Sequence, residues 1–344
     1  MWKAVQKSGY RVREIAQQAG LSEATVDRVL HDRPGVRDST RAEVQQAIAD
    51  LDRQREQVRL AGQTFLVDLV MVAPRRFSDA VRTALEVELP NLRPALIRAR
   101  FHLREEGEPA EVAATLTKIK SRGTHGILLK AHDHPLVARA VDDLAAAGIP
   151  TVTLATDIPA SRRVGYVGID NRAAGATAAY VITKMAGAQP GSVLISLSSS
   201  TFHGEEEREA GFRAAIRDLA PGRQLVEITD TDGLDASTLA ATSQALADDP
   251  SIDAVYSIGG GNAAILEAFR AAGRQARTFI AHDLDGDNLT LLRRHQLTAV
   301  LHHDLKSDLA EAARLILRAR GVLPGRPWSR TSQIQVVTPF NEPG

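Results

Sequence analysis

The chain has 344 residues, of which 44% are hydrophobic and 24% are charged, so it is long enough for two or three folded domains and is not of the disordered class. Its 42 basic residues balance 42 acidic ones, which excludes a protein that binds nucleic acid through overall charge alone. It has no cysteine, no apolar signal-peptide core near its start and no apolar run that could span a bilayer. We therefore expect a cytoplasmic protein without disulfides, thiolate metal sites or a membrane anchor.

The first patterned segment runs from Arg11 to Val36. Apolar residues recur at helical spacing on both sides of a tight turn at residues 19–22, which predicts two short amphipathic helices with Ser22 as the N-cap of the second. This pattern is typical of a helix-turn-helix, whose second helix enters the major groove of DNA. A third helix is predicted after Asp38 or Ser39 as its cap.

From Asp52 to Gly62 the chain is rich in arginine and glutamine, with too few apolar residues to build a core. This composition indicates a linker with helical potential. From Phe65 onward, short apolar runs alternate with amphipathic helical stretches, which predicts parallel sheets with helices on both faces. The length suffices for two doubly wound sheets in succession, whose ligands bind at the carboxyl ends of the strands. The predicted strands include residues 65–72, 97–103, 126–129, 150–154, 193–197, 254–258 and 278–281, and the predicted helices 79–89, 111–121, 135–147 and 172–187.

Residues 12–30, VREIAQQAGLSEATVDRVL, resemble the DNA-binding signature of the lac repressor/GalR family of bacterial transcription regulators. The rest of the chain is similar to periplasmic sugar-binding proteins of the ribose-binding type, through the motifs Gly168–Asn171 and Glu207–Phe212. The resemblance implies an all-α helix-turn-helix head and a sensor of two doubly wound parallel-sheet lobes. The implied domains are 1–51 for the head, 52–63 for a hinge linker and 64–344 for the sensor, with an N-lobe at about 64–169 and 304–330 and a C-lobe at about 170–303 and 331–344.

The resemblance also implies which residues touch DNA. Glu23, Ala24 and Arg28 would face base edges, where Arg28 can donate two bonds to guanine and Glu23 can accept one from cytosine. Ser22 and Thr25 suit phosphate contacts, which position the helix without specifying sequence. The alternative is that Glu23 and Arg28 form an ion pair on an exposed helix.

Two positions of the second helix depart from the family pattern. Asp27 replaces the usual serine, and because a carboxylate near phosphates is unfavourable, we expect it to orient Arg28 or Arg33 instead. His31 replaces the usual asparagine. These departures imply an operator sequence different from the family's ordinary one.

In the linker, Leu60 matches the family leucine that paired hinge helices push into the minor groove at the operator centre. Two alternatives remain. Leu60 could pack on the sensor instead. The family's Tyr-x-Pro-Asn lead is also absent and the linker is short, so the third helix could run on unbroken, with Arg53, Arg55 and Arg59 along the phosphates.

Five candidate ligand residues follow from the resemblance. Phe77 would stack on the ligand, with core packing as its alternative. Arg208 and Asp283 would fix ligand hydroxyls, with an ordinary surface or N-cap role as the alternative. Asn262 follows a glycine run at the start of a helix, and His303 matches a polar residue at an interlobe crossover.

Other residues modify this expectation. The N-lobe carboxylate of many sugar binders is missing, whereas Lys130, His132 and Asp133 end a predicted strand. Together with Arg208 these cations favour an acidic or phosphorylated ligand as a hypothesis. The glycine run 259–261 lacks the Lys-Ser/Thr of a nucleotide-hydrolysing loop, so it favours close backbone approach to a small ligand.

The sequence therefore predicts a ligand-responsive repressor that is no enzyme and needs neither cofactor nor metal. A homodimer would bind a pseudo-palindromic operator, with a small sugar, polyol or related metabolite as effector. One alternative is a sugar-binding receptor without a role in gene control. Another is an enzyme on a Rossmann-like sheet, which would need a Gly-x-Gly-x-x-Gly turn that the first strand lacks.

Overall fold

The structure, a computed structural model, describes residues 9–60, 63–92, 95–186 and 191–343. For residues 53, 55–60 and 186 it describes the backbone and not the side chain. The chain divides into two compact units. They comprise Met1–Thr64 with Arg93–Leu96, and Phe65–Leu92 with Ile97–Gly344. No helix in the described part of the chain combines the length and apolar character needed to cross a bilayer.

The first unit is helical, with α1 (Val12–Ala19), α2 (Glu23–Leu30) and α3 (Asp38–Leu60). Helix α1 ends because Gly20 adopts the left-handed conformation, with φ of 67°, which costs glycine little. Helix α2 begins behind Ser22, whose hydroxyl oxygen accepts a bond from the Thr25 amide at 3.2 Å. The three helices bury a small shared core of Ile15, Ala16, Val26, Val29, Val44 and Ala47.

Helix α3 continues without a break through residues 52–60, the greater part of the expected hinge linker. Residues 52–60 therefore extend the third helix and do not form a separate hinge helix. Leu60 is its last residue, and the side chains of Arg53, Arg55, Arg59 and Leu60 lie outside the described part of the chain.

The second unit contains two sheets. The first has the strand order β11-β5-β4-β3-β1-β2 and the second β12-β10-β9-β8-β6-β7. The strands are β1 (Thr64–Val72), β2 (Leu96–Arg104), β3 (Gly126–Lys130), β4 (Thr151–Leu154), β5 (Gly165–Ile169), β6 (Ser192–Ser196), β7 (Leu225–Ile228), β8 (Ile252–Ser257), β9 (Thr278–His282), β10 (Ala299–His302), β11 (Arg330–Ser332) and β12 (Gln335–Val337). The helices are α4 (Arg75–Glu88), α5 (Pro109–Arg122), α6 (Pro135–Ala146), α7 (Asn171–Ala186), α8 (His203–Leu219), α9 (Asp235–Asp248), α10 (Asn262–Ala271), α11 (Gly286–Arg293) and α12 (Leu305–Ala319), with a short 3-10 helix at Leu89–Asn91.

The predicted pair of doubly wound parallel sheets is confirmed, and the burial pattern explains it. Within β6, Val193 and Ile195 belong to the apolar cluster under α7 and α8, whereas Leu194 belongs to the cluster under α9 and α10. Both faces of the strand are buried because successive side chains point to opposite faces of a sheet. The strands β5, β7, β10 and β11 were not predicted from sequence.

The chain passes between the two lobes three times, after β5, after β10 and between β11 and β12. Strand β11 pairs with β5 in the first sheet, and β12 pairs antiparallel with β10 in the second. The third crossing therefore lies between Ser332 and Gln335, slightly beyond the expected boundary at residue 331. The passages bring the carboxyl ends of both sheets to one cleft.

Candidate ligand cleft and DNA-binding surface

Helix α2 turns its apolar residues inward and leaves the expected DNA contacts accessible. Ser22, Glu23, Ala24 and Arg28 are exposed, and Thr25 is half-buried. The Ser22 and Thr25 hydroxyl oxygens lie 2.8 Å apart, so both hydroxyls sit at the amino end of the helix. This surface suits entry into a major groove, and its contacts to DNA stay a prediction.

Asp27 and His31, the two residues that depart from the family pattern, pair with each other. The carboxylate of Asp27 lies 3.0 Å from His31 Nδ1 and 3.4 Å from Arg33 Nη1. Among the described residues Arg28 has no carboxylate within ion-pair distance, so it pairs with neither Asp27 nor Glu23. The guanidinium of Arg28 is thus available to an outside acceptor such as guanine.

The candidate cleft lies where strands of both sheets end. Lys130 ends β3, Ser198 follows β6, and Asp283 follows β9 directly. Together with Phe77 and Arg208 these residues line a cavity of about 60 Å³. This volume is small beside the ~300–1,000 Å³ that ligand pockets commonly enclose. Direct contacts between the two lobes show that they stand in a closed arrangement.

Hydrogen bonds across the cleft account for this closure. The Asp133 amide donates to the carbonyl oxygen of Thr201 at 2.9 Å, and His132 Nδ1 lies 2.5 Å from the Thr201 hydroxyl. The Gly204 amide at the start of α8 donates to the Thr156 hydroxyl at 2.9 Å. Residues of the first lobe thus contact the second lobe at residues 201–204, where α8 begins.

Arg208 is held at the cavity wall from α8. It is 5% exposed, its Nε donates to Asn171 Oδ1 at 2.7 Å, and its Nη1 lies 3.4 Å from the Ile258 carbonyl oxygen. Helices α7 and α8 approach closely because Gly175 and Gly211 lie at their crossing. A Cβ at Gly175 would stand 1.8 Å from the Arg208 carbonyl oxygen, and one at Gly211 2.0 Å from that of Arg172.

Asp283 belongs to a buried chain of charges. His303 is 2% exposed, its Nε2 lies 3.5 Å from Asp283 Oδ1, and its Nδ1 bonds to Asp308. Burial alone would lower the pKa of His303, but the adjacent carboxylates of Asp283 and Asp308 raise it to about 9. Burial opposes ionisation of Asp283, yet His303 and Arg208 hold its pKa below the ordinary value, so Asp283 faces the cavity as an anion.

The remaining expected ligand residues are placed as follows. Phe77 is 8% exposed and forms part of the cavity wall. His303 stands behind Asp283 rather than in that wall. Asn262 is also set back, because Gly261 with φ of 71° starts α10 and Asn262 Nδ2 donates to Asn288 at 2.6 Å. The structure therefore brings Phe77, Arg208 and Asp283 together at the cavity and puts Asn262 and His303 in supporting positions.

Several lining residues were not expected from sequence. Arg76 donates to the Gly233 carbonyl oxygen at 2.9 Å, and its Nε lies 3.4 Å from Asp285. Gly260 has φ of 98°, and a Cβ there would stand 2.2 Å from Arg76 Nη2, so the glycine run makes room for this side chain. His282 lines the cavity from the end of β9. The only sequence signal for these residues was their position after predicted strands.

A helix-turn-helix with an exposed reading helix, followed by two α/β lobes around a polar cavity, defines a ligand-responsive transcriptional regulator. The chain belongs to the periplasmic binding protein domain family, whose model matches residues 97–320, and its residues 11–54 match the model of bacterial regulatory proteins of the lacI family. No curated protein sequence matches the chain significantly.

Solved structures share the fold of the sensor. The glucose-galactose binding protein GanP from Geobacillus stearothermophilus is 18% identical, with a TM-score of 0.72 over 82% of this chain and 99% of that one. A solute binding protein from Burkholderia graminis C4D1M, in complex with D-arabinose, is 21% identical, with a TM-score of 0.73 over 82% and 97%. A protein from Bacteroides fragilis assigned as a LacI transcriptional regulator is 15% identical, with a TM-score of 0.70 over 81% and 98%.

Proposed function

We propose that the chain is a transcriptional repressor whose homodimer binds a pseudo-palindromic operator through α2 and responds to a small sugar, polyol or related metabolite in the cleft. The observation that carries the proposal is the combination, in one chain, of the exposed Glu23, Ala24 and Arg28 with a closed polar cavity between two lobes. A dimer follows from the way helix-turn-helix pairs read two half-sites about one helical turn apart. Ligand binding would change lobe closure and thereby the spacing of the two heads.

The cleft is assigned a binding role rather than a catalytic one. The two matched families are typically non-enzymatic. The sugar class of effector is supported by the neighbours, which bind glucose and galactose, or D-arabinose. Asp283 as an acceptor and Arg208 as a donor are the side chains expected to hold hydroxyl groups, with Phe77 beside them.

Leu60 would act at the centre of the operator. Two Leu60 side chains from a dimer would enter the minor groove and bend the duplex, a cost offset by the wider contact that the bend permits. The support for this role of Leu60 is its position as the last residue of the continuous helix α3. The test is DNA bending by the full chain, measured by energy transfer between the ends of a labelled duplex. The variant Leu60→Ala is expected to bend the duplex less, and unchanged bending would remove Leu60 from this role.

The proposed function is tested by selecting duplexes from a random library with the full chain. We expect enrichment of an inverted repeat and a complex with two chains per duplex. A thermal-shift screen of sugars, polyols and their acids on the same protein would identify the effector class. A protein that binds sugars but enriches no DNA sequence would be the alternative, a sugar-binding receptor without gene control.

A further inference from the structure

Three hydrogen-bond donors of the cavity wall lack an anionic partner among the described residues. Lys130 is partly buried, and its Nζ donates to the Val72 carbonyl oxygen at 3.1 Å. Arg208 donates to an amide oxygen and a carbonyl oxygen. Neither cation has a carboxylate of the described residues within ion-pair distance. Buried cations without counter-ions are costly, so a partner from outside would stabilise this wall.

His282 is the third donor, and its neighbour fixes its tautomer. The hydroxyl of Tyr256 is buried and lies 2.8 Å from His282 Nε2. Burial raises the pKa of Tyr256, so the phenol keeps its proton, and His282 is the acceptor that the described residues offer to it. His282 then carries its own proton on Nδ1, which has no partner in the described part of the chain.

Each carboxylate of the cavity lies beside a cation or a hydrogen-bond donor of the protein other than Lys130 and Arg208. Asp283 faces the imidazolium of His303, and Asp285 lies beside Arg76. Glu205 accepts bonds from the Ser198 amide at 2.7 Å and from the Ser198 hydroxyl at 2.5 Å. The cavity is therefore close to neutral in formal charge, and Lys130, Arg208 and His282 offer it hydrogen-bond donors beside the carboxylate of Asp283.

We propose that the effector carries an oxyanion, a carboxylate or a phosphate, that Lys130, Arg208 and His282 bind in the cleft. The proposal rests on the sensor function given above and narrows its ligand to acidic or phosphorylated forms of small polyols. The three donors line one and the same cavity, of about 60 Å³. Charge-assisted bonds of this kind are the strong ones in protein sites.

The electrostatics of the wall agree with this reading. Burial, together with the nearby charge of Arg208, lowers the pKa of Lys130 to about 8, although Glu205 and Asp283 oppose the shift. Burial and Arg208 likewise hold the pKa of His282 well below its ordinary value. A bound anion would raise the pKa of Lys130 again. Anion binding near pH 8.5 should therefore be accompanied by uptake of a proton on Lys130.

The experiment measures thermal stabilisation of the full chain by inorganic phosphate and by glycolate, with sodium chloride at matched ionic strength as the reference. The same series is run on Lys130→Met and on the control Lys120→Met, which removes an exposed lysine of α5. We expect both probes to stabilise the wild type and Lys120→Met, and to bind Lys130→Met roughly ten- to a hundredfold more weakly. Equal stabilisation of all three proteins, or none beyond chloride, would overturn the proposal.

Two further measurements keep the test independent of the variant's folding. Calorimetry of phosphate binding to the wild type at pH 8.5, in two buffers of different ionisation enthalpy, should reveal proton uptake.

The second measurement compares neutral and acidic ligands. D-galactose and D-arabinose should bind more weakly than D-galactonate and D-arabinonate or the corresponding sugar phosphates. Whether the carboxylates or the phosphates bind more tightly identifies the anion. Binding of the neutral sugars alone would overturn the oxyanion site and leave the proposed sensor function standing. Failure to select operator DNA would instead reject the regulator and leave this site standing.

Discussion

The guanidinium of Arg76 reaches across the cleft and donates from Nη2 to the carbonyl oxygen of Gly233 at 2.9 Å, over a sequence separation of 157 residues. Its Nε also lies 3.4 Å from Asp285, the N-cap residue of α11. One side chain of the first lobe thus contacts two sites of the second lobe. We infer that Arg76 stabilises the closed arrangement.

Replacing Arg76 by glutamine should therefore favour open lobes. We expect a larger radius of gyration in X-ray scattering and several-fold weaker effector binding, because a smaller fraction of the free protein is then closed and competent to bind. Arg75→Gln is the matched control, since Arg75 is largely exposed and its side chain pairs with Asp79 of its own helix. Identical scattering curves for Arg76→Gln and the wild type would show that Arg76 does not hold the lobes.

Much of the fold was predictable because its signals are local. The glycine and serine of the turn at residues 20–22 mark the helix-turn-helix, and runs of apolar residues mark the buried parallel strands. The cleft was only partly predictable. Arg76 and Asp285 come together from distant segments, and the left-handed Gly261 turns Asn262 into a supporting position that no spacing indicates.

The tight crossing of α7 and α8 gives a stability prediction. In Gly175→Ala the new methyl would meet the Arg208 carbonyl oxygen, so the helices must separate and carry Arg208 away from Asn171. We expect a loss of about 1–3 kcal/mol in the free energy of unfolding from urea titration, with weaker effector binding. Gly222→Ala is the control, because nothing lies near a Cβ at that position. Equal losses in the two variants would argue against a packed crossing.

The buried His303 predicts a pH dependence of stability. Its pKa is raised to about 9 in the folded chain, against about 6.5 when unfolded, so unfolding between these values releases a proton. The stabilisation is fully present below pH 6.5 and is lost as pH rises through 9, on the order of a few kcal/mol. His303→Asn should flatten this part of the stability curve, measured by urea unfolding from pH 6 to 10. His295→Asn, at an exposed histidine with φ of 56°, should keep the wild-type slope; a slope retained in His303→Asn contradicts the assignment.

Removal of the Arg28 guanidinium should change which DNA is read. On the selected operator, Arg28→Ala is expected to lose about 1–3 kcal/mol of binding free energy and to tolerate substitutions at one base pair of each half-site. Arg270→Ala removes the same charge from the second unit, where Arg270 pairs with Glu267, and should leave specificity intact. If Arg28→Ala weakens all sequences equally, Arg28 contacts phosphate rather than a base.

The coupling between cleft and operator is the central claim, and fluorescence anisotropy of the full chain on its selected duplex tests it most directly. Titrations are run without effector and with the ligand found in the thermal-shift screen at saturation. Allosteric coupling of about 1–3 kcal/mol predicts a change of ~5–150-fold in operator affinity, with a reciprocal change in effector affinity when operator is bound. Superimposable operator titrations in the absence and presence of saturating ligand would contradict the account.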